Sequence, residues 1–323
     1  MVCYKPDFEI RIVCEKRIAS KAFLITPRSH AAGHPNRELK VSLSSRAKSY
    51  AKVHGISATA AKSARYLWRT CFNLQNPFVA RRRALGLELY KQHGGLVQAG
   101  PLRGFHMSDN PAWGVADRGC MLVGFYEANV LALLEDFSAE ASTLVDIGAA
   151  DGYYGVGTVA VGMYSRSVCF EQDPVTREVL AGAARLNGVA DKVTILGSAG
   201  SSLVLDMQNA GVDLTQSVVL CDIEGGEFNL FDDKLFQTLS QCRIIIELHE
   251  RMLSDGEERL ARLIALAERR FTVTFLEGGG RDPGQEPLLQ SMPDDDRWLM
   301  CSEGRMVHQQ WMVLVPIQKA NVD

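Results

Sequence analysis

The chain has 323 residues, a formal net charge of −3 and 46% hydrophobic residues, which are ordinary values for a globular protein. It contains no run of about 18 apolar residues, and charges interrupt its first apolar stretch, so we expect neither a transmembrane helix nor a secretory signal. Its eight cysteines show no CxxC or zinc-type spacing. They predict free thiols in a cytoplasmic protein rather than a disulfide framework or a structural metal site.

The charges are distributed unevenly along the chain. Residues 1–105 contain 19 of the 35 basic residues but only 5 of the 38 acidic ones. A basic half can contact nucleic acid or another anionic surface. However, the basic residues are scattered and no nucleic-acid-binding motif accompanies them, so a solvated basic region beside an acidic domain is the preferred interpretation. We expect neither nucleic acid nor a membrane as a partner, and the pattern does not indicate an oligomeric state.

The N-terminal part differs in residue composition from the rest of the chain. Residues 26–45 are typical of a loop or disordered linker. Residues 57–73 and 77–92 have the composition of helices, and the second of these helices should end at a pair of glycines. We therefore expect a basic, partly helical and partly disordered extension over residues 1–95, followed by the main domain over residues 96–323.

Beyond residue 96, the chain alternates between strand and helix patterns. Predicted helices cover Phe125–Phe137 and residues 153–161, 174–187, 228–239 and 254–270, and predicted strands cover residues 142–148, 167–172, 192–199, 217–225, 242–250, 271–277, 297–303 and 310–317. Alternation of this kind indicates an α/β fold with a doubly wound, mostly parallel sheet. The last strand can enter the sheet antiparallel, and the long loop 278–296 is a candidate lid.

A turn between the first strand and its helix contains Asp146-x-Gly148-x-x-x-Gly152. Glycines let the backbone turn sharply and approach a ligand closely, and ligands of open α/β sheets bind beyond the carboxyl ends of the strands. A pyrophosphate prefers a glycine-rich helix N-terminus without a neighbouring acid. S-adenosylmethionine has no phosphate and carries a positive ammonium and sulfonium. The aspartate therefore favours S-adenosylmethionine over a dinucleotide.

An acidic residue also follows the second strand. Glu171 lies 25 residues after Asp146, where an acid can accept both hydroxyls of a ribose. Ser198 and Ala199, after the third strand, should flank an adenine. Glu171 does not distinguish between nucleoside cofactors, so a nicotinamide-dependent Rossmann oxidoreductase stays an alternative. The absence of a third glycine and the acid at Asp146 count against it.

Three carboxylates follow the fourth strand within six residues, at Asp222, Glu224 and Glu227. Period-two alternation should place Asp222 and Glu224 on one side. They can orient an ammonium, act as a general base or bind a hard cation, although the spacing by itself does not indicate a metal. Glu227 can instead be a solvated acid at a helix N-terminus. His249, after the fifth strand, is either a general base or a structural histidine.

The segments TLVDIGAADGYYGVG, CFEQDP, VVLCDIEGGEFNLF and IIIELHE together resemble the FkbM-type methyltransferases over about residues 120–275. The hallmark of that family, Asp-x-Glu-Gly-x-Glu, is matched from Asp222 to Glu227. The resemblance implies a Rossmann-like class I fold with a seven-stranded sheet, S-adenosylmethionine as cofactor and a hydroxylated small molecule or sugar as methyl acceptor. One departure is Ala149-Ala150-Asp151, where many relatives carry Ala-Asn-x.

These observations define the expected site. The expected catalytic residues are Asp222, Glu224 and His249. The expected cofactor-binding residues are Tyr126, Glu127, Asp146, Gly148, Ala149, Ala150, Gly152, Tyr153, Tyr154, Glu171, Gln172, Ser198, Ala199 and Asp222, and no metal ligands are expected. A scaffold protein or a nucleic-acid methyltransferase is a further alternative. However, the chain has Asp-Ile-Glu-Gly after the fourth strand instead of the aromatic tetrapeptide that many nucleic-acid methyltransferases carry there.

Overall fold

The protein was analysed as a computed structural model, which describes residues 76–109, 111, 112, 114–305 and 309–317. The strands of its sheet are β1 (Thr143–Ile147), β2 (Arg166–Phe170), β3 (Val193–Leu196), β4 (Ser217–Cys221), β5 (Arg243–Glu247), β6 (Phe271–Glu277) and β7 (Gln310–Pro316). They form one seven-stranded sheet in the order β3-β2-β1-β4-β5-β7-β6. β7 runs antiparallel to its two neighbours, and the pairs from β3 to β5 are parallel. The predicted doubly wound, mostly parallel Rossmann-like fold is therefore confirmed.

The helices pack on both faces of this sheet. They are α1 (Pro77–His93), α2 (Arg118–Leu122), α3 (Ala128–Ser138), α4 (Gly157–Ala160), α5 (Pro174–Leu186), α6 (Leu203–Asn209), α7 (Glu227–Leu230), α8 (Asp233–Thr238), α9 (Gly256–Ala267) and α10 (Asp294–Cys301). Successive residues of β1 enter opposite cores: Leu144 packs with α1, α3, α4 and α5, whereas Val145 packs with α6, α8 and α9. Every residue of β1 is buried because both faces of the strand are covered.

The helix predicted at residues 77–92 is confirmed as α1. Asn76 caps it by accepting a hydrogen bond from the Phe78 amide at 3.0 Å, and Gly94 ends it in the left-handed conformation at φ 57°. α1 packs against α2 and α10, although it lies before the expected boundary at residue 96. The predictions for residues 26–45 and 57–73 lie outside the described residues. No described helix is long and apolar enough to cross a membrane.

Two predicted helices have different limits in the structure. The helix predicted from Phe125 begins only at Ala128, because Glu127 adopts the left-handed conformation with φ 45°. The helix predicted over residues 228–239 is divided into α7 and α8. Asp232 causes this division, since it accepts a hydrogen bond from the Leu235 amide at 2.7 Å and starts a new helix.

Two further predictions differ from the structure. The strand predicted over residues 297–303 is wrong, because this segment belongs to α10, whose first turn carries three aspartates that favour a helix N-terminus. Of the helix predicted over residues 153–161, only α4 forms. Residues 151–156 form turns instead, and Tyr153 is buried there. The predicted strand over residues 271–277 is confirmed as β6.

Candidate active site

The turn after β1 lies between the ends of β2 and β4. The amides of Gly148 and Ala149 both donate to the Phe170 carbonyl oxygen, at 2.8 and 3.0 Å. Gly148 has φ 93°, and a Cβ there would lie 1.8 Å from the Asp222 carbonyl oxygen. Only glycine satisfies both the conformation and the close approach. The contact brings the turn to the segment after β4. Gly152, at φ 92°, closes the turn with its amide donating to the Ala149 carbonyl.

Asp146 is the acid at the end of β1, and its side chain is buried with 3% exposure. Its Oδ2 atom is buried without a hydrogen-bond partner among the described residues. Burial raises the pKa of this carboxyl to about 7, and the nearby Asp222 and Glu171 act in the same direction, whereas the Gly155 amide opposes them. An unpaired buried carboxyl is costly in free energy, and a bound cation can relieve that cost.

Glu171 joins the end of β2 to the same turn. Its Oε2 accepts a hydrogen bond from the Ala150 amide at 3.1 Å, and its Oε1 accepts one from the Asp173 amide at 2.8 Å. Ala150 adopts the left-handed conformation with φ 46°, which is unusual for a residue other than glycine. Burial raises the pKa of Glu171. Each carboxylate oxygen can accept more than one hydrogen bond, so Glu171 can still accept hydrogen bonds from a diol.

The predicted aromatic residues gather beside the turn. The rings of Tyr126 and Tyr153 meet edge to face with centroids 5.4 Å apart, and the rings of Tyr153 and Tyr154 are 5.3 Å apart. The Tyr154 hydroxyl donates to Glu127 Oε2. The Tyr153 hydroxyl is buried without a partner among the described residues. The structure therefore brings the three predicted tyrosines and the predicted Glu127 together.

The remaining predicted cofactor residues follow β2 and β3. Gln172 is exposed, and its carbonyl accepts a hydrogen bond from Arg177 at 3.0 Å. Ser198 is also exposed, and Ala199 is half-buried. A Cβ built on the neighbouring Gly197 would meet no atom within 4 Å, so the space beside this loop is open. Both segments follow the carboxyl ends of strands parallel to β1, since β2 is next to β1 and β3 is next to β2, so they lie at the same edge of the sheet as the turn.

A second cluster lies where β4 and β5 end. His249 Nε2 is 3.6 Å from Asp222 Oδ1 and 3.9 Å from Glu247 Oε2. His249 and Glu247 are buried, with exposures of 6% and 3%. Burial raises the pKa of Asp222 and that of Glu247, and the mutual repulsion of the two acids raises the pKa of Glu247 further. One ligand atom from each of the three residues lies within 4.8 Å of the others, so the cluster can also hold a divalent cation.

Glu227 fixes the position of His249. Its Oε1 accepts hydrogen bonds from the His249 backbone amide at 2.9 Å and from the ring Nδ1 at 3.2 Å, and its Oε2 accepts one from the Gly225 amide at 2.8 Å. Glu227 is fully buried at the start of α7. The interpretation of Glu227 as a solvated acid is therefore wrong. Its carboxylate is buried and accepts hydrogen bonds from Gly225 and His249.

The expected alternation of Asp222 and Glu224 fails. β4 ends at Cys221, so both residues lie in a turn, where the strand period does not apply. Glu224 is exposed and adopts the left-handed conformation with φ 54°, whereas Asp222 faces His249. Of the three expected catalytic residues, Asp222 and His249 therefore meet directly, and Glu224 stays at the surface beside them.

Opposing effects determine the protonation of His249. Burial lowers the pKa of the imidazole, but the hydrogen bond with Glu227 and the nearby carboxylates of Asp222, Glu227 and Glu224 raise it, and the net pKa is raised above the ordinary value. A neutral imidazole that donates through Nδ1 to Glu227 has its lone pair on Nε2. That atom faces Asp222 and can accept a proton.

A group of charged residues near the C-terminus was not predicted from any sequence pattern. Arg305 donates through three nitrogens to three carboxylates: Nε to Glu303 at 2.5 Å, Nη1 to Glu247 at 3.0 Å, and Nη2 to Glu127. Arg281 also donates to Glu303. Arg305 is 178 residues away from Glu127. No local motif could have predicted these contacts, because they depend on how distant segments meet.

No protein-family model matches the chain, and no curated protein matches it. Solved structures that resemble it include the tRNA methyltransferase TrmK of B. subtilis, at 7% identity and a TM-score of 0.35. The match covers 57% of this chain and 63% of that one. The chain thus spans less than two thirds of the length of that structure.

Two further solved structures resemble the chain. The first is an O-methyltransferase from Bacillus cereus in complex with SAH, at 12% identity and a TM-score of 0.40, covering 84% of this chain and 97% of that one. The second is the N-terminal domain of human METTL16 in complex with SAH, at 12% identity and a TM-score of 0.38, covering 58% of this chain and 68% of that one.

Proposed function

We propose that the protein is an S-adenosylmethionine-dependent methyltransferase that transfers a methyl group to a hydroxyl of a small molecule. The observation that carries the proposal is the hydrogen bond from the Ala150 amide to Glu171, which joins the glycine turn to the acid at the end of β2. The Oδ2 atom of Asp146, which has no hydrogen-bond partner among the described residues, lies at the same edge of the sheet. Assignment to the FkbM type is a finer part of the same proposal, supported by the segment from Asp222 to Glu227.

The chemistry of these residues fits this cofactor. Asp146 offers a buried negative charge to an ammonium, and Glu171 offers two oxygens to the ribose hydroxyls. Ser198 and Ala199 border open space in which an adenine can lie. Tyr126, Glu127, Tyr153 and Tyr154 would border the methionine end, while Gly148, Ala149 and Gly152 let the backbone come close to the cofactor.

A nicotinamide cofactor fits these residues less well. Its pyrophosphate would bring two negative charges to a turn that already contains Asp146 and Asp151 and that Glu171 contacts. Burial, helped by the nearby Glu171, raises the pKa of Asp151 to about 6, so a negative charge is already unfavourable there. Additional anionic groups would increase the repulsion.

In the proposed reaction, the bound cofactor supplies an electrophilic methyl group on its sulfonium. The protein aligns the acceptor hydroxyl for in-line attack, so that an oxygen–carbon bond forms as the sulfur–carbon bond breaks. His249 Nε2 takes the hydroxyl proton, and Glu227 holds the imidazole in position through Nδ1. Asp222 lies close enough to stabilise the imidazolium that forms.

Two experiments test the proposal. Titration calorimetry with S-adenosylhomocysteine should detect binding, and no binding by the wild-type protein at high micromolar ligand would refute the cofactor assignment. Methyl-transfer assays with a panel of hydroxylated acceptors should then detect turnover. A parallel fluorescence titration with NADH distinguishes the oxidoreductase alternative, since we expect no binding of NADH.

A further inference from the structure

A cavity of about 390 Å³ opens beside the proposed site, and the proposed cofactor-binding residues do not account for most of its lining. Gly278 and Gly279, just beyond β6, form one wall, and Gln309, just before β7, belongs to another. β7 is antiparallel to β5, so its first residues lie at the edge where β5 ends. The cavity therefore opens at the same edge of the sheet as the glycine turn and the His249 cluster, and its volume suits a small molecule.

Two contacts connect the cavity to the proposed site. Glu127 lines the cavity and accepts a hydrogen bond from Tyr154, which follows the glycine turn directly. Arg305 also lines the cavity and donates to Glu247 at 3.0 Å, and Glu247 belongs to the cluster with Asp222 and His249. Hydrogen bonds of its lining residues therefore link the cavity both to the segment after the glycine turn and to the cluster that contains the proposed base.

The charged side chains present mainly hydrogen-bond donors to the cavity. The side chains of Glu303, Glu127 and Glu247 are only 4–5% exposed, whereas those of Arg281 and Arg305 are 25% and 27% exposed. The carboxylates are thus enclosed behind the guanidinium groups. Among the charged side chains of the cavity, the guanidinium groups are therefore more accessible to a ligand than the carboxylates.

Some of these N–H donors have no partner among the described residues. A guanidinium group has five N–H donors. Arg281 uses one toward the Cys301 carbonyl oxygen, at 3.2 Å, and one toward Glu303. Arg305 uses three, toward three carboxylates. The remaining donors can satisfy ligand oxygens. A protonated amine has no lone pair with which to accept from them, and the positive guanidinium groups would repel it.

The charge of the cavity wall disfavours an anion. The carboxyl groups of Glu127 and Glu303 in the cavity wall contact the guanidinium groups of Arg305 and Arg281, and Arg305 also contacts Glu247 behind the wall. The positive charge of both arginines is therefore already compensated, and a phosphate or carboxylate would add a further negative charge to the group. An uncharged ligand that carries several oxygen atoms satisfies the spare donors without this penalty.

We propose that this cavity binds the methyl acceptor, and that it selects an uncharged, oxygen-rich molecule through the N–H donors of Arg281. The inference rests on the proposed methyltransferase function and adds the position of the acceptor and its charge. Arg281 is the specificity-determining residue in this arrangement. Arg305 holds the cavity wall against Glu127 and Glu247.

The test uses two matched series of acceptors that differ in charge. One contains methyl glucoside, methyl glucuronide and methyl glucosaminide, and the other contains catechol, protocatechuate and dopamine. Methyl transfer is measured for each, and binding is measured by ligand-observed NMR in the presence of S-adenosylhomocysteine. We expect the uncharged member of at least one series to be preferred by about tenfold or more in kcat/KM.

Three variants of the full chain separate the role of Arg281 from a general loss of folding. Arg281→Gln should raise the acceptor KM about tenfold and leave the Kd for S-adenosylhomocysteine within about twofold. Gly279→Phe fills the cavity instead, because a Cβ on Gly279 meets no atom within 4 Å, and it should abolish transfer without changing cofactor binding. Arg259→Gln, at a surface pair with Asp255, is the matched control.

The outcomes distinguish the two proposals. Absence of S-adenosylhomocysteine binding refutes the proposed function itself. Preference for the carboxylate or amine members overturns the cavity proposal, as does an unchanged acceptor KM in both Arg281→Gln and Gly279→Phe. If no member of either series is methylated by protein that binds S-adenosylhomocysteine, the cavity proposal is also overturned.

Discussion

Glu227 binds His249 twice, because one carboxylate oxygen accepts both the backbone amide and the ring Nδ1 of this residue. The two hydrogen bonds fix the ring and its tautomer together. They leave Nε2 directed toward Asp222, 3.6 Å from its Oδ1. This relationship turns a histidine at the end of a strand into a group that can accept a proton in a defined direction.

We expect Glu227→Gln to lower the rate of methyl transfer by about tenfold, since the amide holds the imidazole less firmly. The pKa of His249 should also fall, because the Glu227 carboxylate raises it. The pH at which the rate begins to rise should therefore shift to lower values. Binding of S-adenosylhomocysteine should not change. Glu257→Gln, an exposed acid of α9, is the control, and an unchanged rate and pH profile in Glu227→Gln would contradict the role of this residue.

The rate of the wild-type protein should increase with pH through the raised pKa of His249. His249 acts as a base only when it is neutral, and its pKa lies above the ordinary value of 6.5. The midpoint of the acidic limb should therefore lie above pH 6.5, and the measurement is kcat against pH at saturating cofactor. A midpoint below 6.5, or a limb that persists in His249→Gln, would assign the base to another group.

Binding of S-adenosylhomocysteine should release protons near neutral pH. Burial raises the pKa of Asp146 to about 7, so this carboxyl is partly protonated in the free protein, and a bound ammonium favours its ionised form. Affinity should then weaken as the pH falls below 7. Calorimetry in two buffers with different ionisation enthalpies measures the released protons. Asp146→Asn should abolish the release and weaken binding, and an equal release in both proteins would exclude Asp146.

Gly148→Ala should destabilise the fold more strongly than Gly162→Ala. Both glycines have positive φ, 93° and 78°, so each substitution costs about 1–2 kcal/mol of backbone strain. A Cβ at Gly148 would also lie 1.8 Å from the Asp222 carbonyl oxygen, whereas a Cβ at Gly162 meets no atom within 4 Å. Urea unfolding should show an additional loss of about 1–3 kcal/mol for Gly148→Ala. Equal losses would mean that the turn and the segment after β4 are not in contact.

Excess chelator should leave methyl transfer unchanged. Asp222, Glu247 and His249 can hold a divalent cation, but in the proposed mechanism the lone pair of His249 Nε2 accepts a proton, and an Nε2 bound to a metal could not do so. Activity is compared before and after treatment with EDTA and gel filtration. Loss of activity that Mg²⁺ or Mn²⁺ restores would show that a metal occupies the cluster and that His249 is a ligand rather than a base.

Local sequence signals predicted the parts of the fold that depend on periodicity and turn chemistry. β6 and α1 were predicted to within one residue at each end, because β-branched residues and a helix cap indicate them directly. The strand predicted over residues 297–303 failed, since its apolar residues fit either a strand or a helix and the acids before it decided the outcome. The limits of α3 depended on the left-handed Glu127, whose contacts lie far away in the sequence.

The sequence by itself determined the turn from Asp146 to Gly152, the acid at Glu171 and the alternation that builds the sheet, because each of these is a local pattern with one preferred backbone solution. Only the tertiary structure decided that Glu227 is buried against His249 and that Glu224 is exposed. It also decided that Arg305 pairs with Glu127 and Glu247. Those arrangements depend on side chains that lie far apart in the chain. They form only when the carboxyl ends of the strands come together at one edge of the sheet.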